Sequence, residues 1–247
     1  MSPGPAGYGR FYGVGVGPGD PELITVRAAR VLGRVDVVFS ACAHGDGESL
    51  ARRIAEPYLA PSARVVPLHF PMTRNRREVE AAWDENARRV LGVLEAPADA
   101  AFITLGDPST FSTFTYLWRR LSALAPGLEA EVVPGITSYQ AAAAQAGEPL
   151  AEGEESLVIV SGAKGGAQVE RFRALADNLV VLKVYRRAEE VARALREGSE
   201  LEGVVVSRCG LPGERVHRGL DALTAGSDSY YTLVIAKNRR RREWPLA

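Results

Sequence analysis

The sequence predicts an α/β protein of two α/β domains with a cleft between them. Strand-length apolar runs alternate with helix-length stretches over residues 1-148, the pattern of a parallel sheet covered by helices. A polar, breaker-rich segment, Pro149 to Glu155 (PLAEGEE), marks a linker, so the domains are assigned to 1-148 and 149-247. Beyond it the helices shorten, and Tyr230 to Lys237 (YYTLVIAK) follows directly on a turn-rich segment, which predicts some antiparallel pairing. A chain of 247 residues is long enough to give two such domains a substantial core.

In chain order, the first domain is read as strands near 10-16, 36-40, 64-67, 100-105 and 130-133. Helices fill the gaps near 21-33, 48-58, 76-95, 111-124 and 137-146. The helix expected at 21 has Asp20 as its cap, Pro21 at its first position and Glu22 behind it, all favourable in a first turn. In the second domain the strands are expected near 156-160, 179-185, 202-207 and 230-236. Runs such as Val35 to Phe39 and Leu157 to Val160 are far too short to span a bilayer.

Composition narrows the class of protein. Hydrophobic residues at 46% and charged residues at 24% are ordinary for a soluble globular chain and argue against disorder or a fibrous repeat. Lys+Arg and Asp+Glu balance at 30 each, so no overall field draws the protein toward nucleic acid or a membrane. The opening MSPGPAGYGR has no apolar stretch and reads as a short lead-in to a cytoplasmic protein. Two cysteines, Cys42 and Cys209, form no disulfide framework, and Cys42 with His44 supplies two potential ligands without a visible third, so no metal is expected. Charge is nonetheless uneven: Arg74, Arg76 and Arg77 cluster in one loop, and Arg239 to Arg242 form a run that reads as a solvated tail.

The stretch FYGVGVGPGDPELITVRAAR, residues 11-30, has the strand, glycine loop and helix of a dinucleotide site. The fingerprint fails, because counting G-x-G-x-x-G from Gly13 puts Pro18 at the sixth position and counting from Gly15 puts Asp20 there. Asp20 would also repel a pyrophosphate at the helix N-terminus, which disfavours a nicotinamide-dependent dehydrogenase. Ala163 to Gly166 lacks the spacing of a Walker A loop. Two further loops have the same strand-to-helix form, at Gly106-Asp107-Pro108 and at Pro134-Gly135-Ile136-Thr137-Ser138. All three belong at the carboxyl edge of the sheet, where open α/β sheets bind ligands. Ser109, Thr110, Ser112, Thr113, Thr137 and Ser138 serve either as helix caps or as a polar ligand site, and their number exceeds what capping needs.

Together these residues resemble the tetrapyrrole methylases. The first loop, Gly15-Val16-Gly17-Pro18-Gly19-Asp20-Pro21-Glu22-Leu23-Ile24-Thr25, is similar to that family's GxGPGDPxLxT signature, and the other two loops match its second and third signatures. Softer matches, among them Asp36 to Phe39, Glu48 to Ile54, Phe70-Pro71-Met72-Thr73, Ala82-Trp83 and Gln140 to Ala144, point to the branch acting at C20 of precorrin-2. The resemblance implies S-adenosylmethionine (SAM) as methyl donor, lying between the domains and released as S-adenosylhomocysteine. It implies precorrin-2 or cobalt-precorrin-2 as substrate, a homodimer, and no nucleic-acid or membrane partner. Carried over by position, the donor's neighbours are Pro18, Gly106, Asp107, Pro108, Ser112, Thr113, Thr137 and Ser138, joined by Tyr185, Gly210 and Leu211 of the second domain. Gly19, Met72, Arg74 and Arg76 are the expected substrate contacts, the arginines facing the substrate's carboxylate rim unless they form a solvated loop. Asp20 is the expected catalytic residue, orienting a pyrrole NH or accepting a proton, with helix capping as its alternative role.

Overall fold

The computed structural model describes residues 7-42, 49-73, 75-96, 98-197, 201-223 and 229-238. The chain divides into two compact units, Met1–Thr137 and Ser138–Ala247. The division falls ahead of the expected linker because the helix Ser138–Ala146 packs on strands of the second unit.

In the first unit, strands β1 (Phe11–Gly15), β2 (Val37–Cys42), β3 (Arg64–His69), β4 (Ala100–Thr104) and β5 (Ala130–Val133) form one sheet in the order β3-β2-β4-β1-β5, with every pairing parallel. The helices are α1 (Val26–Leu32), α2 (Leu50–Ala55), α3 (Arg76–Glu95) and α4 (Phe114–Leu124). Strands β1 and β4 are buried at every position, because helices cover both faces. Alternate residues feed two cores. Tyr12, Val14, Val38, Ala101 and Ile103 pack with α1 and α2, whereas Phe11, Phe39 and Phe102 pack with α3 and α4. Gly13 faces the second group, where a Cβ would run into the ring of Phe114.

The second unit carries α5 (Ser138–Ala146), β6 (Leu157–Ser161), α6 (Ala167–Phe172), β7 (Asn178–Leu182), α7 (Ala188–Arg196), β8 (Leu201–Ser207), β9 (Arg215–Arg218) and β10 (Thr232–Asn238). Its sheet runs β6-β7-β10-β8-β9. Only β6 and β7 are parallel, and β10 inserts antiparallel between β7 and β8, as the YYTLVIAK segment predicts. Val169, Val191 and Leu195 from the helices close a core on Leu179, Val181, Val205 and Val234.

Several boundaries differ from the sequence expectation for identifiable reasons. The helix expected over 21-33 is a 3-10 turn, Pro21–Leu23, followed by α1, because Ile24 and Thr25 are extended and Thr25 Oγ1 accepts from Ala28 N to start the helix afresh. The helix expected from 48 is α2 plus a 3-10 turn at Glu56–Tyr58, where Pro57 cannot donate into a continuing helix. Strand β7 stops at Leu182, since Lys183 has φ 60°. Strand β9 was not expected at all: its residues Arg-Val-His-Arg are exposed throughout and carry no apolar alternation.

Candidate active site

The order of the first sheet creates its binding crevice. From β1 the chain crosses through α1 toward β2 and β3, whereas from β4 it crosses through α4 toward β5 on the other side. Right-handed crossovers in opposite directions put α1 and α2 on one face and α3 and α4 on the other, which is the division the two cores show. The loops leaving β1 and β4 therefore part from each other at adjacent strand ends, the place where open α/β sheets bind ligands.

These loops are fixed to one another through their backbones. Gly17 N donates to Gly106 O at 3.3 Å and Gly106 N donates to Gly17 O at 2.7 Å, an isolated antiparallel bridge closing the crevice floor. Both glycines have positive φ, 85° and 69°, a conformation other residues adopt at a cost. A Cβ on Gly15 would lie 2.5 Å from Gly106 O and 2.7 Å from Gly135 N, so glycine there lets the three loops meet backbone to backbone.

Side chains complete the clasp. Asp107 Oδ1 accepts from Ser109 N at 2.8 Å and its Oδ2 from Gly135 N at 3.0 Å, so this carboxylate ties the second loop to the third. Buried Ser112 shares a 2.9 Å hydrogen bond with Thr104 Oγ1 and accepts from Phe114 N, joining β4 to the start of α4. Thr25 Oγ1 donates to Pro134 O at 3.4 Å. Asp20 sits at the rim, its Oδ1 accepting from Glu22 N at 2.9 Å. The structure thus brings together Pro18, Gly19, Asp20, Gly106, Asp107, Pro108 and Ser112, with Thr137 at the end of the third loop and buried. Thr113 precedes α4 but makes no side-chain cap, and Ser138 opens α5 in the second unit.

The arginine segment is distributed differently from the sequence expectation. Arg74 lies outside the described residues, as do His44 and the run Arg239 to Arg242. Met72 is 72% exposed, and Arg76 opens α3, where Nε pairs with Glu80 Oε1 at 2.8 Å. That ion pair holds Glu80 below the usual carboxylate range, its hydrogen bond from Arg76 being the main cause.

In the second unit, Tyr185, Gly210 and Leu211 occupy the strand-end loops. Gly210 N donates to Glu214 Oε2 at 2.6 Å and Leu211 N to Arg208 O at 2.9 Å, folding the link from β8 to β9 into a tight turn. Burial and the neighbouring Glu214 push the Cys209 thiol up from its ordinary 9.0 to about 12, so it is no nucleophile at neutral pH. A cavity of about 410 Å³ lies elsewhere in this unit, lined by Arg196, Asp221, Arg218, Glu148 and Lys237. Its cations pair with Asp221, Glu148 and Glu152, an ion-pair arrangement apart from the glycine loops.

Three non-glycine residues take a backbone conformation that the sequence does not announce. Phe111, Lys183 and Arg208 adopt left-handed backbone at φ 50°, 60° and 57°; the last two directly follow β7 and β8, and Phe111 lies in the loop before α4. No composition signal marks such residues, since the conformation comes from tertiary constraints on either side. Among the described residues no three His, Cys, Asp or Glu side chains gather to hold a metal ion, and no helix is long and apolar enough to cross a membrane.

A family profile for the tetrapyrrole (corrin/porphyrin) methylases matches residues 10-222. The chain belongs to this family. Among curated relatives, this methylase is 37% identical over 240 residues to the cobalt-precorrin-2 C(20)-methyltransferase of Salmonella typhimurium, an alignment covering 97% of this chain and 99% of that one. It is 31% identical to the precorrin-2 C(20)-methyltransferase of a Sinorhizobium species, covering 96% and 98%. Among solved structures it matches the uroporphyrin-III C-methyltransferase of Thermus thermophilus complexed with S-adenyl homocysteine, with a TM-score of 0.66, 28% identity, and 94% of each chain covered.

Proposed function

We propose that this methylase transfers the methyl group of SAM to C20 of precorrin-2 or its cobalt complex during cobalamin assembly. The observation that carries the reading is the close backbone meeting of Gly15, Gly17, Gly106 and Gly135 at the topological switch point, with Gly17 and Gly106 bridged by hydrogen bonds, in a chain matched along nearly its whole length by C20-methyltransferases. The residues present fit SAM. A glycine-lined floor leaves room for a ligand against the backbone without intruding side chains, and buried Ser112 and Thr137 belong to the loops that form it. Asp20 at the rim places a carboxylate, but no phosphate-binding cation, beside the loop.

Bound SAM supplies an electrophilic methyl on a positively charged sulfur, which keeps the bonding electron pair when the methyl leaves. The protein's part is alignment and exclusion of water, and alignment alone provides effective molarities of about 10⁵ to 10⁸ M. The loops fastened by Asp107 and Ser112 are rigid enough for that task. Methylation leaves a proton to be lost from the meso carbon. Asp20 is assigned to accept it or to hold a pyrrole NH: Oδ1 is committed to the backbone, and among the described residues Oδ2 has no hydrogen bond. Pro18, Pro108 and Thr113 complete the donor's surroundings, while Gly19, Met72, Arg74 and Arg76 border the substrate.

The test is anaerobic incubation with isotopically labelled SAM and either metal-free precorrin-2 or its cobalt complex, with products read by mass spectrometry. One label on either tetrapyrrole is expected. Label in neither, or two labels entering uroporphyrinogen III, overturns the C20 assignment. For Asp20, the variant Asp20→Asn keeps an Oδ1 acceptor for Glu22 N, so its melting temperature should match the parent while turnover falls by about 10²-fold or more. Unchanged turnover would leave Asp20 as a cap only.

A further inference from the structure

The cavity of the second unit has no part in the methyl transfer proposed above. It lies where β8 begins and β9 and β10 end, the sheet edge opposite the loops of Tyr185, Gly210 and Leu211. Its volume of about 410 Å³ is that of a small-molecule site. The register of the strands sets its floor. Lys237 faces Glu202 across β10 and β8, and two residues along, Ile235 faces Val204, so the four side chains stand on one face of the sheet. A cation is thus followed directly by an apolar surface.

The charged groups on the wall differ in depth and in how fully they are engaged. One guanidinium nitrogen of Arg218 pairs with Glu148, and the other donates to Ala146 O at 2.8 Å. Arg196 pairs with Asp221, whose side chain is 98% exposed. Among the described charged residues of the wall, Lys237 alone is buried, its side chain 6% exposed. Among the described residues its Nζ has a single partner, Glu152 Oε2 at 3.3 Å, and that carboxylate belongs to a side chain 63% exposed. An ammonium carries three donors, and one long contact to a solvated carboxylate compensates little of the cost of taking it out of water.

We propose that the cavity binds a small organic carboxylate, whose charged head displaces Glu152 at Lys237 Nζ and whose apolar body lies on Val204 and Ile235. Depth decides the sign of the occupant. An incoming anion meets a desolvated ammonium, whereas Glu148 and Asp221 already face their own arginines. Glu202 opposes the head from across the strand, which favours a single negative charge over a multiply charged one. The site is separate from the glycine loops and does not depend on the methyl donor.

The experiment is calorimetric titration of the full-length protein with hexanoate, hexanol and hexylammonium, which share a body and differ in charge. Hexanoate is expected to saturate one site with a Kd of about 1 mM or below, and the alcohol and the amine to bind at least about tenfold more weakly. Lys237→Met keeps a long, buried side chain and should weaken hexanoate about tenfold or more while S-adenosylhomocysteine affinity stays at the parent value. Glu152→Gln, a change at an exposed side chain, removes the competing carboxylate and should tighten hexanoate about two- to fivefold. Equal affinity for the amine, or parent hexanoate affinity in Lys237→Met, overturns the site. Should Lys237→Met not fold, Glu152→Gln decides alone, and unchanged or weaker hexanoate binding there overturns the proposal. Displacement of hexanoate by S-adenosylhomocysteine overturns it as well, by placing the anion where the donor binds.

Discussion

Adding one methyl group at Gly15 should disable the crevice. An alanine Cβ at this position lies 2.5 Å from Gly106 O, 2.7 Å from Gly135 N and 2.8 Å from Gly135 Cα, while ordinary contact begins at 3.4 Å. All three neighbours are backbone, so no side chain can swing aside and the loops must separate by about 0.9 Å. The Gly17 N to Gly106 O bond already spans 3.3 Å and cannot stretch that far, and the bonds from Gly106 N to Gly17 O and from Gly135 N to Asp107 share the moving segments. Losing two or three such bonds at about 0.5–1.5 kcal/mol each, with the added overpacking, amounts to about 2–4 kcal/mol. In a chain of this size that lowers the melting temperature by roughly 5–15 °C. A displacement near 1 Å in a positioning loop also costs about 10²-fold in rate. The assays are thermal melting, S-adenosylhomocysteine titration and single-turnover methyl transfer. The matched control is Gly92→Ala in α3, where a Cβ meets nothing within 4 Å and better helix propensity should stabilise by about 0.5–1 kcal/mol. If Gly15→Ala melts like the parent and binds the donor equally well, the three loops are not mechanically coupled and the account of the crevice is wrong.

Ser112→Ala removes the partner of Thr104 Oγ1 and the acceptor for Phe114 N inside a buried loop, for an expected loss of about 1–3 kcal/mol and weakened donor binding. Thr113→Ala, at a position that makes no side-chain cap, should cost clearly less in stability, and comparable melting losses in the two variants would refute the distinction. Cys209, its thiol raised from 9.0 to about 12 chiefly by burial, holds its proton more tightly folded than unfolded. Its contribution to stability is therefore complete below pH 9.0 and is lost as pH rises through the window up to about 12. Iodoacetamide at pH 8 should label it only on unfolding, as followed by peptide mass mapping, and rapid labelling of the native protein would contradict the assignment.

The first unit was legible in sequence because its signals are local. Continuous apolar runs at Phe11 to Val14 and Ala100 to Ile103, and glycines in the loops that follow, identify a parallel sheet and its loops without any tertiary information. What failed was local chemistry with two satisfactory outcomes. Asp20 followed by Pro21 and Glu22 reads equally as the start of a long helix or of one 3-10 turn, and Thr25, a second capping residue a few positions on, decides for the turn. Strand β9 was invisible because an edge strand buries nothing and so needs no apolar pattern.

The glycine loops of the candidate site were legible for the same reason. Glycine signatures mark where backbones approach one another, as Gly15, Gly17, Gly106 and Gly135 do in the first unit. The left-handed residues sharpen this point. Phe111, Lys183 and Arg208 follow three different strands in two separate units, and each keeps a large side chain where glycine would relieve the strain. Each such residue costs about 1–3 kcal/mol and persists only because the structure on either side over-determines it. Relieving the strain should therefore stabilise: glycine at Lys183 or Arg208 fits the backbone better, and a variant that melts below the parent would show that the side chain contributes more there than the strain costs.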